Sequence, residues 1–564
     1  MRRPPAWTLV LVVVGIVAAG VLIDRANPST ATARPEPVLA GAAMSGAWYC
    51  AVGDTTEDAQ MRVTAAVPPG DTDRPADVTI DTFGAGEALT GREISVPPGT
   101  STSRDVATGH EEAGVASRWW DEPAAVGRSI LVRPTGGPEG YIEGPCEPEP
   151  SARWIVPGVA TSGGAQALLT LANPFDSDAS VTITFPTPDG LIEPQLLENV
   201  VVPKRSTRTV LVNEHAPEEP DLGILVRARS GRVVAEAVQT LSAAIGGVDG
   251  VSLVKATAQP AETWTVPWFD LGEDVQSWLW VTNVEDRPAA LALTLHASSG
   301  GIVPEEIDEI TLEAGETRRI DLRDLLPEGT TRAGVTVRSE NSVPVAASVA
   351  TEYAGADVER TGFAVQLGAA APDSLWVLSG GPPAGRDTSV HLSNPGSEPA
   401  SVDVLVASAG GAAAPADLQG IDVPPGAMRS VDLTPHLPED AADHSIFVVA
   451  REGTVVPGRR GVDRVGTLRL VAGGGVPGSL WAGGRIVPPV DHAPTLTQRL
   501  GTDLGPRTED PLEVPSEPAT ATPTPLPPAP PPATGTPPAS DEPSPATSPE
   551  SQGSSPTPTP SPSG

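Results

Sequence analysis

Few side chains in this sequence are placed where they could do chemistry, and they are best judged first. Of seven histidines, His215 and His436 hold the same position in an internal repeat, beside Pro217 and Pro438; His110 falls close to it in an earlier copy, and Leu325 stands there in another. Such an imidazole could bind a ligand or sense pH near neutrality. A residue that duplicates with the fold, next to a recurring Pro-Glu turn, reads better as a turn or edge residue. Close carboxylate pairs occur at Asp71/Asp73 and Asp176/Asp178, in predicted loops. Calcium takes six to eight oxygen ligands and would suit such loops. The matching loops of later copies read Glu285-Asp286-Arg287-Pro288 and Gly396-Ser397-Glu398-Pro399, so a shared cation site does not recur. The acids are therefore solvated turn residues.

Trp278 and Trp280 alternate around Leu279 and so share one face of a strand, in a chain with only 4% aromatic residues. Exposed, that face would stack on sugar rings or anchor a protein partner. Buried, it fills a core poor in Phe, and the scarcity of aromatics favours this second reading. Trp119-Trp120 form a further pair near the start. The sequence holds no Gly-x-Ser-x-Gly elbow, no His-Glu-x-x-His pair, no phosphate loop and no dinucleotide fingerprint. No catalytic, cofactor-binding or metal-ligating residue is assigned, no cofactor is expected, and the chain reads as a non-enzyme.

The elements that position these residues come from a repeat of roughly 110 residues. Asn173, Asn283 and Asn394 each close a short apolar run. Val234, Val345 and Val456 keep the same step, as do Arg208, Arg318 and Arg429, and Pro217, Pro327 and Pro438. A constant step over many anchors marks like domains in tandem. Trp48, Trp154, Trp264 and Trp376 open the copies, and Trp481 repeats the opening once more, as a closing strand. Within a copy, Val181-Thr182-Ile183-Thr184-Phe185 and Val335-Thr336-Val337-Arg338 alternate apolar and polar residues, the strand period. Seven or eight such strands per copy, split by Asn-Pro, Pro-Pro-Gly and Gly-Gly turns, predict a two-sheet antiparallel sandwich. Propeller blades, at about 40–50 residues, are too short for this period.

Net charge is −35, which repels phosphate backbones and excludes nucleic acid as a natural partner. Arg2 and Arg3 precede an unbroken apolar run over residues 6–23. At about 1.5 Å rise per residue it spans roughly 27 Å, enough for a bilayer core. The flanking arginines place the N-terminus in the cytoplasm. A secretory signal cleaved near Ala31-Thr32-Ala33 is the competing reading, and both export the chain. Export favours a bridge between the two cysteines, Cys50 and Cys146, worth about 4–5 kcal/mol in the chain-entropy model. Two buried free thiols are the alternative. Beyond about residue 506 the chain is rich in Pro, Ser, Thr and Ala, a composition that cannot bury a core.

The N-terminal anchor, the Trp48-Tyr49-Cys50 opening, the recurring Trp and Asn-Pro segments and the Pro-rich tail together resemble an uncharacterised family of exported actinobacterial proteins (DUF5719). The resemblance implies an envelope location in a high-GC Gram-positive cell and carries over no site residues.

The sequence thus predicts an all-β chain: a tandem array of four immunoglobulin-like antiparallel β-sandwich domains with an N-terminal transmembrane helix and a disordered C-terminal tail. The expected segments are a signal-anchor over 1–25, a stalk over 26–45, sandwiches over 46–150, 151–260, 261–372 and 373–500, and the tail over 501–564. The expected role is an extracellular, single-pass, membrane-anchored envelope protein that binds wall glycan or another envelope protein. A scaffold subunit of an envelope-building complex, or a carbohydrate-active enzyme with a hidden carboxylate pair, are the alternatives.

Overall fold

The recurring Trp and Asn each donate a side-chain hydrogen bond to backbone carbonyls. Trp48, Trp154, Trp264 and Trp376 are buried, and their indole N–H groups donate to the carbonyls of Ala124, Val233, Val345 and Val455 at 2.6, 2.7, 2.6 and 2.8 Å. Asn173, Asn283 and Asn394 are buried too. Their Nδ2 groups donate to the carbonyls of Ser177, Arg287 and Glu398, four residues on, at 2.8, 2.7 and 2.8 Å. The same Nδ2 groups reach the carbonyls of Val202, Leu312 and Val423 across the turn. Each Asn thus fixes one turn by pairing groups that would otherwise be orphaned.

The computed structural model describes residues 45–479 apart from 54–58, 71–72, 85–86, 107–111, 133–139, 243–247, 305–309, 328, 355–360, 381–386, 438–443 and 464–468. The apolar run at 6–23, the stalk, His110, Asp71, Pro438, Trp481 and the Pro-rich tail lie outside the described residues. No described helix is long and apolar enough to cross a membrane.

The described residues are all-β, with only short 3₁₀ turns besides strands, and every strand ladder is antiparallel. They form two sheets per repeat. In the third repeat one sheet runs Thr263–Asp270, Arg332–Ser339, Ala289–Ala297, Gly300–Ile302. The other runs Thr317–Asp321, Val275–Thr282, Ala346–Ala354, Thr361–Leu367. The same two orders recur in the other three repeats. In the last, Val476–Pro477 adds an edge strand on Leu375–Leu378, just ahead of Trp481. Leu279, Val281, Leu293, Leu295, Val335 and Val337 meet between the two sheets of the third repeat, the burial that the alternating pattern requires. Cys50 and Cys146 are joined in a disulfide that ties the first strand of the first repeat to the residue just after its last.

The repeats do not simply follow one another. The last strands of the four second sheets, Gly140–Pro145, Gly250–Lys255, Thr361–Leu367 and Arg469–Gly474, each lie against the next, and the fourth lies against the first. The result is a closed ring. Gly250 permits one such approach, since a Cβ there would stand 2.7 Å from the Cβ of Phe363. The outer face of each second sheet packs on the preceding repeat. Val238, Val251 and Leu253 of the second repeat join the core of the first, whereas Trp278, Trp280, Phe363 and Val365 of the third join the core of the second. The first repeat closes the circuit by taking Val377, Ala407 and Phe447 of the fourth into its own core. Equivalent hydrogen bonds recur at two junctions: Thr282 Oγ1 donates to the Pro157 carbonyl at 2.5 Å, and Ser393 Oγ to the Pro267 carbonyl at 2.9 Å.

Candidate functional site

Strand Val275–Thr282 positions the tryptophan pair. Its hydrogen-bonded neighbours are Thr317–Asp321 on one side and Ala346–Ala354 on the other. Leu279 and Val281 point into the third repeat, so the period of two turns Trp278 and Trp280 outward, onto the second repeat. There they are buried, at 6% and 1% exposure. The open stacking face entertained from sequence is therefore absent, and the burial reading holds. Outward on a sheet means inward at a ring junction.

Trp278 and Trp280 meet edge to face with centroids 5.5 Å apart, and Phe363 lies 6.3 Å from Trp278. Such pairs add about 0.5–1.5 kcal/mol beyond the area they bury. Trp280 Nε1 donates to Asp221 Oδ1 at 2.7 Å. Its ring sits on the backbone of Gly158, where a Cβ would fall 2.3 Å from the indole; no other residue fits there.

One edge of this aromatic cluster remains open. A recess of about 160 Å³ is lined by Trp278, Trp280 and Phe363, by Leu241 and Val248 of the second repeat, and by Gln239, Arg319 and Glu352. Gln239 is held in place, its Nε2 donating to the carbonyls of Ala160 and Gln166 at 3.1 and 3.0 Å. The Arg319 guanidinium lies 4.0 Å from the centre of the Trp278 ring, a cation–π contact. Burial pushes the Glu352 carboxyl above its usual range, and Arg319 only partly offsets this. Trp278 Nε1 is buried and has no hydrogen-bond partner. The recess thus combines an aromatic wall with a mixed-charge rim.

The other sequence candidates fall elsewhere. His215 follows a 3₁₀ turn, its backbone N–H bonded to the Val212 carbonyl. His436 ends the matching turn, with Nε2 2.9 Å from Asp417 Oδ2. No cluster of three or more metal ligands occurs among the described residues. Asp176 pairs with Arg205, and Asp178 Oδ1 accepts from the Lys204 backbone N–H at 2.9 Å. Both are turn acids, as the sequence indicated.

Sequence reasoning missed three buried ionic clusters at the junctions. Between repeats one and two, Glu236 accepts from Arg128 and Lys255, each at 2.7 Å, and from the backbone N–H groups of Ala51 and Val52 at 2.8 and 2.9 Å. Burial opposes its charge, but Arg128 and Lys255 overcome that and hold its carboxyl below the usual range. Burial also opposes the charge on Lys255, yet Glu147 and Glu236 outweigh it and raise the ammonium pKa. Between repeats four and one, Arg459 pairs with Glu143 at 2.8 Å, 316 residues away in sequence. Between repeats three and four, Asp270 pairs with Arg332 and Arg460 and accepts from the Tyr353 hydroxyl. The available signal was charge at inward positions: Arg128 and Arg459 stand in register with Val63 and Val390, both core residues.

The model of a family of unknown function (DUF5719) matches residues 121–372 and 362–463, which is more than half of the chain. The chain belongs to that family. The match begins at the end of the first repeat's strand that carries Trp119-Trp120 and leaves most of that repeat outside. No curated protein matches the chain. Among solved structures, the α-L-rhamnosidase of Streptomyces avermitilis complexed with L-rhamnose is similar at 10% identity and a TM-score of 0.10, over 69% of this chain and 54% of that one. The chain thus spans about half of that enzyme's length, and a likeness at this level carries no argument.

Proposed function

We propose that this DUF5719 member is a non-enzymatic, membrane-anchored extracellular protein of the cell envelope. Its four sandwiches, immunoglobulin-like in layout and bounded near 46–150, 151–260, 261–372 and 373–500, serve as a rigid platform that holds a glycan-binding recess at Trp278. The apolar run over residues 6–23 supports the anchoring, with the bulk of the chain outside, and the disulfide suits an oxidising compartment. One observation carries the binding role: the Trp278 recess joins aromatic rings to charged and amide side chains, the mixture by which proteins hold polyhydroxylated rings.

Sedimentation with isolated cell walls tests this. The chain should bind saturably, and Arg319→Ala, at an exposed position that leaves the packed core intact, should weaken binding several-fold. Binding that ignores Arg319, or no binding, would move the role to a protein partner, where the anchor makes the chain a scaffold subunit.

A further inference from the structure

Of 36 basic residues only two are lysines, and one of them, Lys255, sits in the largely buried cluster between the first two repeats. Arginine does the ion pairing in the other two junction clusters, through Arg459 and through Arg332 and Arg460. A guanidinium stays protonated, whereas a lysine amine can lose its proton and become a nucleophile. Lys255 Nζ lies 2.5 Å from Glu147 Oε1, 2.7 Å from Glu236 Oε1 and 2.8 Å from the Pro145 carbonyl. Both glutamates are fixed. Glu147 exchanges backbone hydrogen bonds with Tyr49 in both directions and follows the bridged Cys146. Glu236 stands directly opposite Lys255 in the sheet, its Oε2 pinned by Arg128 and by the N–H groups of Ala51 and Val52. The fold does not call for this trio. In the other repeats the places of Glu236 and Lys255 are taken by Gly127/Pro145, Ser348/Leu367 and Gly458/Gly474, and Thr257 and Ala369 stand where Glu147 does.

We propose that Lys255 and Glu147 condense into an intramolecular amide, a covalent tie between the first and second repeats, with Glu236 as the proton carrier. This goes beyond the binding role above and does not depend on it. Lys255 first passes one proton to Glu147, which leaves a neutral amine beside a neutral carboxyl. Burial holds the Glu147 carboxyl above its usual range against the pull of Lys255, so it accepts that proton readily. The two glutamates, against burial, raise the Lys255 ammonium, so the free amine is the minor form; this slows a step that need occur only once. Lys255 Nζ then attacks Glu147 Cδ and forms the N–C bond. Glu236, kept as a carboxylate by Arg128 and Lys255 against burial, takes a proton from Nζ and hands it to the departing hydroxyl. The Cδ–O bond breaks, one water leaves, and the remaining N–H donates to the Pro145 carbonyl. One ammonium and one carboxylate become one amide and one water, so the balance needs no other reactant. Fixed neighbours replace chance encounter here, an advantage worth an effective concentration of about 10⁵–10⁸ M in well-oriented pairs.

Peptide mapping of the full chain after reduction of its disulfide tests this, because trypsin cleaves after a free lysine but not after an acylated one. A branched peptide should join the segments that hold Glu147 and Lys255, lighter than their sum by one water, about 18 Da. Its fragmentation should place the bond on those two side chains. Lys255→Arg keeps the charge but cannot condense, so its map should lack the branched peptide altogether. Glu236→Gln keeps a hydrogen-bonding group but removes the proton carrier, and should lower the linked fraction roughly tenfold or more, with circular dichroism confirming that the variant is folded. Complete cleavage of the parent after Lys255, with both peptides at their unlinked masses, overturns the proposal whatever the variants do. A bond from Lys255 to Glu236 overturns the assignment of Glu147, and a Glu236→Gln chain linked as fully as the parent overturns the role of Glu236.

Discussion

The second and third junctions of the ring use the same strand positions for opposite chemistry. Where the third repeat presents Trp278, Trp280 and Ala350 to the second, the fourth presents Ser389, His391 and Arg460 to the third, 110 or 111 positions on. The second junction is closed by aromatic burial and leaves a recess beside Trp278. The third is closed by the Asp270, Arg332, Arg460 and Tyr353 network, with His391 against Trp268 at 5.4 Å. A polar recess remains there too, lined by Asp387, Ser389, Asp432 and Arg460. The fold specifies the approach of the sheets through shared devices such as the Thr282 and Ser393 bonds to proline carbonyls. The side chains in between are free to diverge, so one junction keeps an aromatic recess where the next builds an ionic network.

This contrast should show first in stability. Removing the buried Asp270 takes the carboxylate from two partly exposed guanidinium groups, and breaking a fully buried pair, at about 3–5 kcal/mol, sets the upper bound of the cost. Asp270→Ala should therefore lower the thermal midpoint markedly and open the third-to-fourth junction. Trp280→Phe, which loses the bond to Asp221 but keeps most of the packing, should cost about 1 kcal/mol. Thermal melts and hydrogen exchange of the two variants measure both, and a reversed order would contradict the division of labour.

The smaller effect is one of pH. Burial, reinforced by Arg332 and only partly opposed by Asp270, holds the His391 imidazole well below its usual range. Burial also lowers His296, whose Nδ1 contacts the Gly426 carbonyl at 3.0 Å across the same junction. With folded values below the unfolded value of about 6.5, the unfolded chain takes up more protons, so stability contributed by these groups is lost as pH falls below about 6.5. Asp270, held low by Arg332 and Arg460 against burial, adds a second loss at still lower pH. Glu352 at the aromatic junction is raised, so its contribution has the opposite sign and declines as pH rises above about 4.3. Between pH 7.5 and 5.5, exchange protection should fall in the fourth repeat and hold in the second, and His391→Gln should flatten the difference. A uniform response along the chain would contradict it.

Much of the fold was legible because it rests on local rules. Trp154, Trp264 and Trp376, the Asn turns and the alternation in Val181–Phe185 each express a period or a backbone need that one repeat sets by itself, and all reappear where expected. The cysteine bridge followed from the even number of cysteines and the compartment expected for the chain. The ring was not legible, since it depends on contacts such as Glu143 with Arg459 that no spacing reports. For the same reason Trp278 and Trp280 could be given a shared face but not a neighbour. Glu236 and Asp270 carry no local mark in the sequence, because only the junctions enclose them.

Closure of the ring is the claim on which the rest depends, and a double-mutant cycle on Glu143→Gln and Arg459→Met tests it most directly. Residues this far apart in sequence and in separate repeats should behave additively within about 0.5 kcal/mol if the repeats form an open string. In the closed ring they share a buried ion pair, and the coupling energy from unfolding measurements should reach about 1–3 kcal/mol. Additivity would contradict the account.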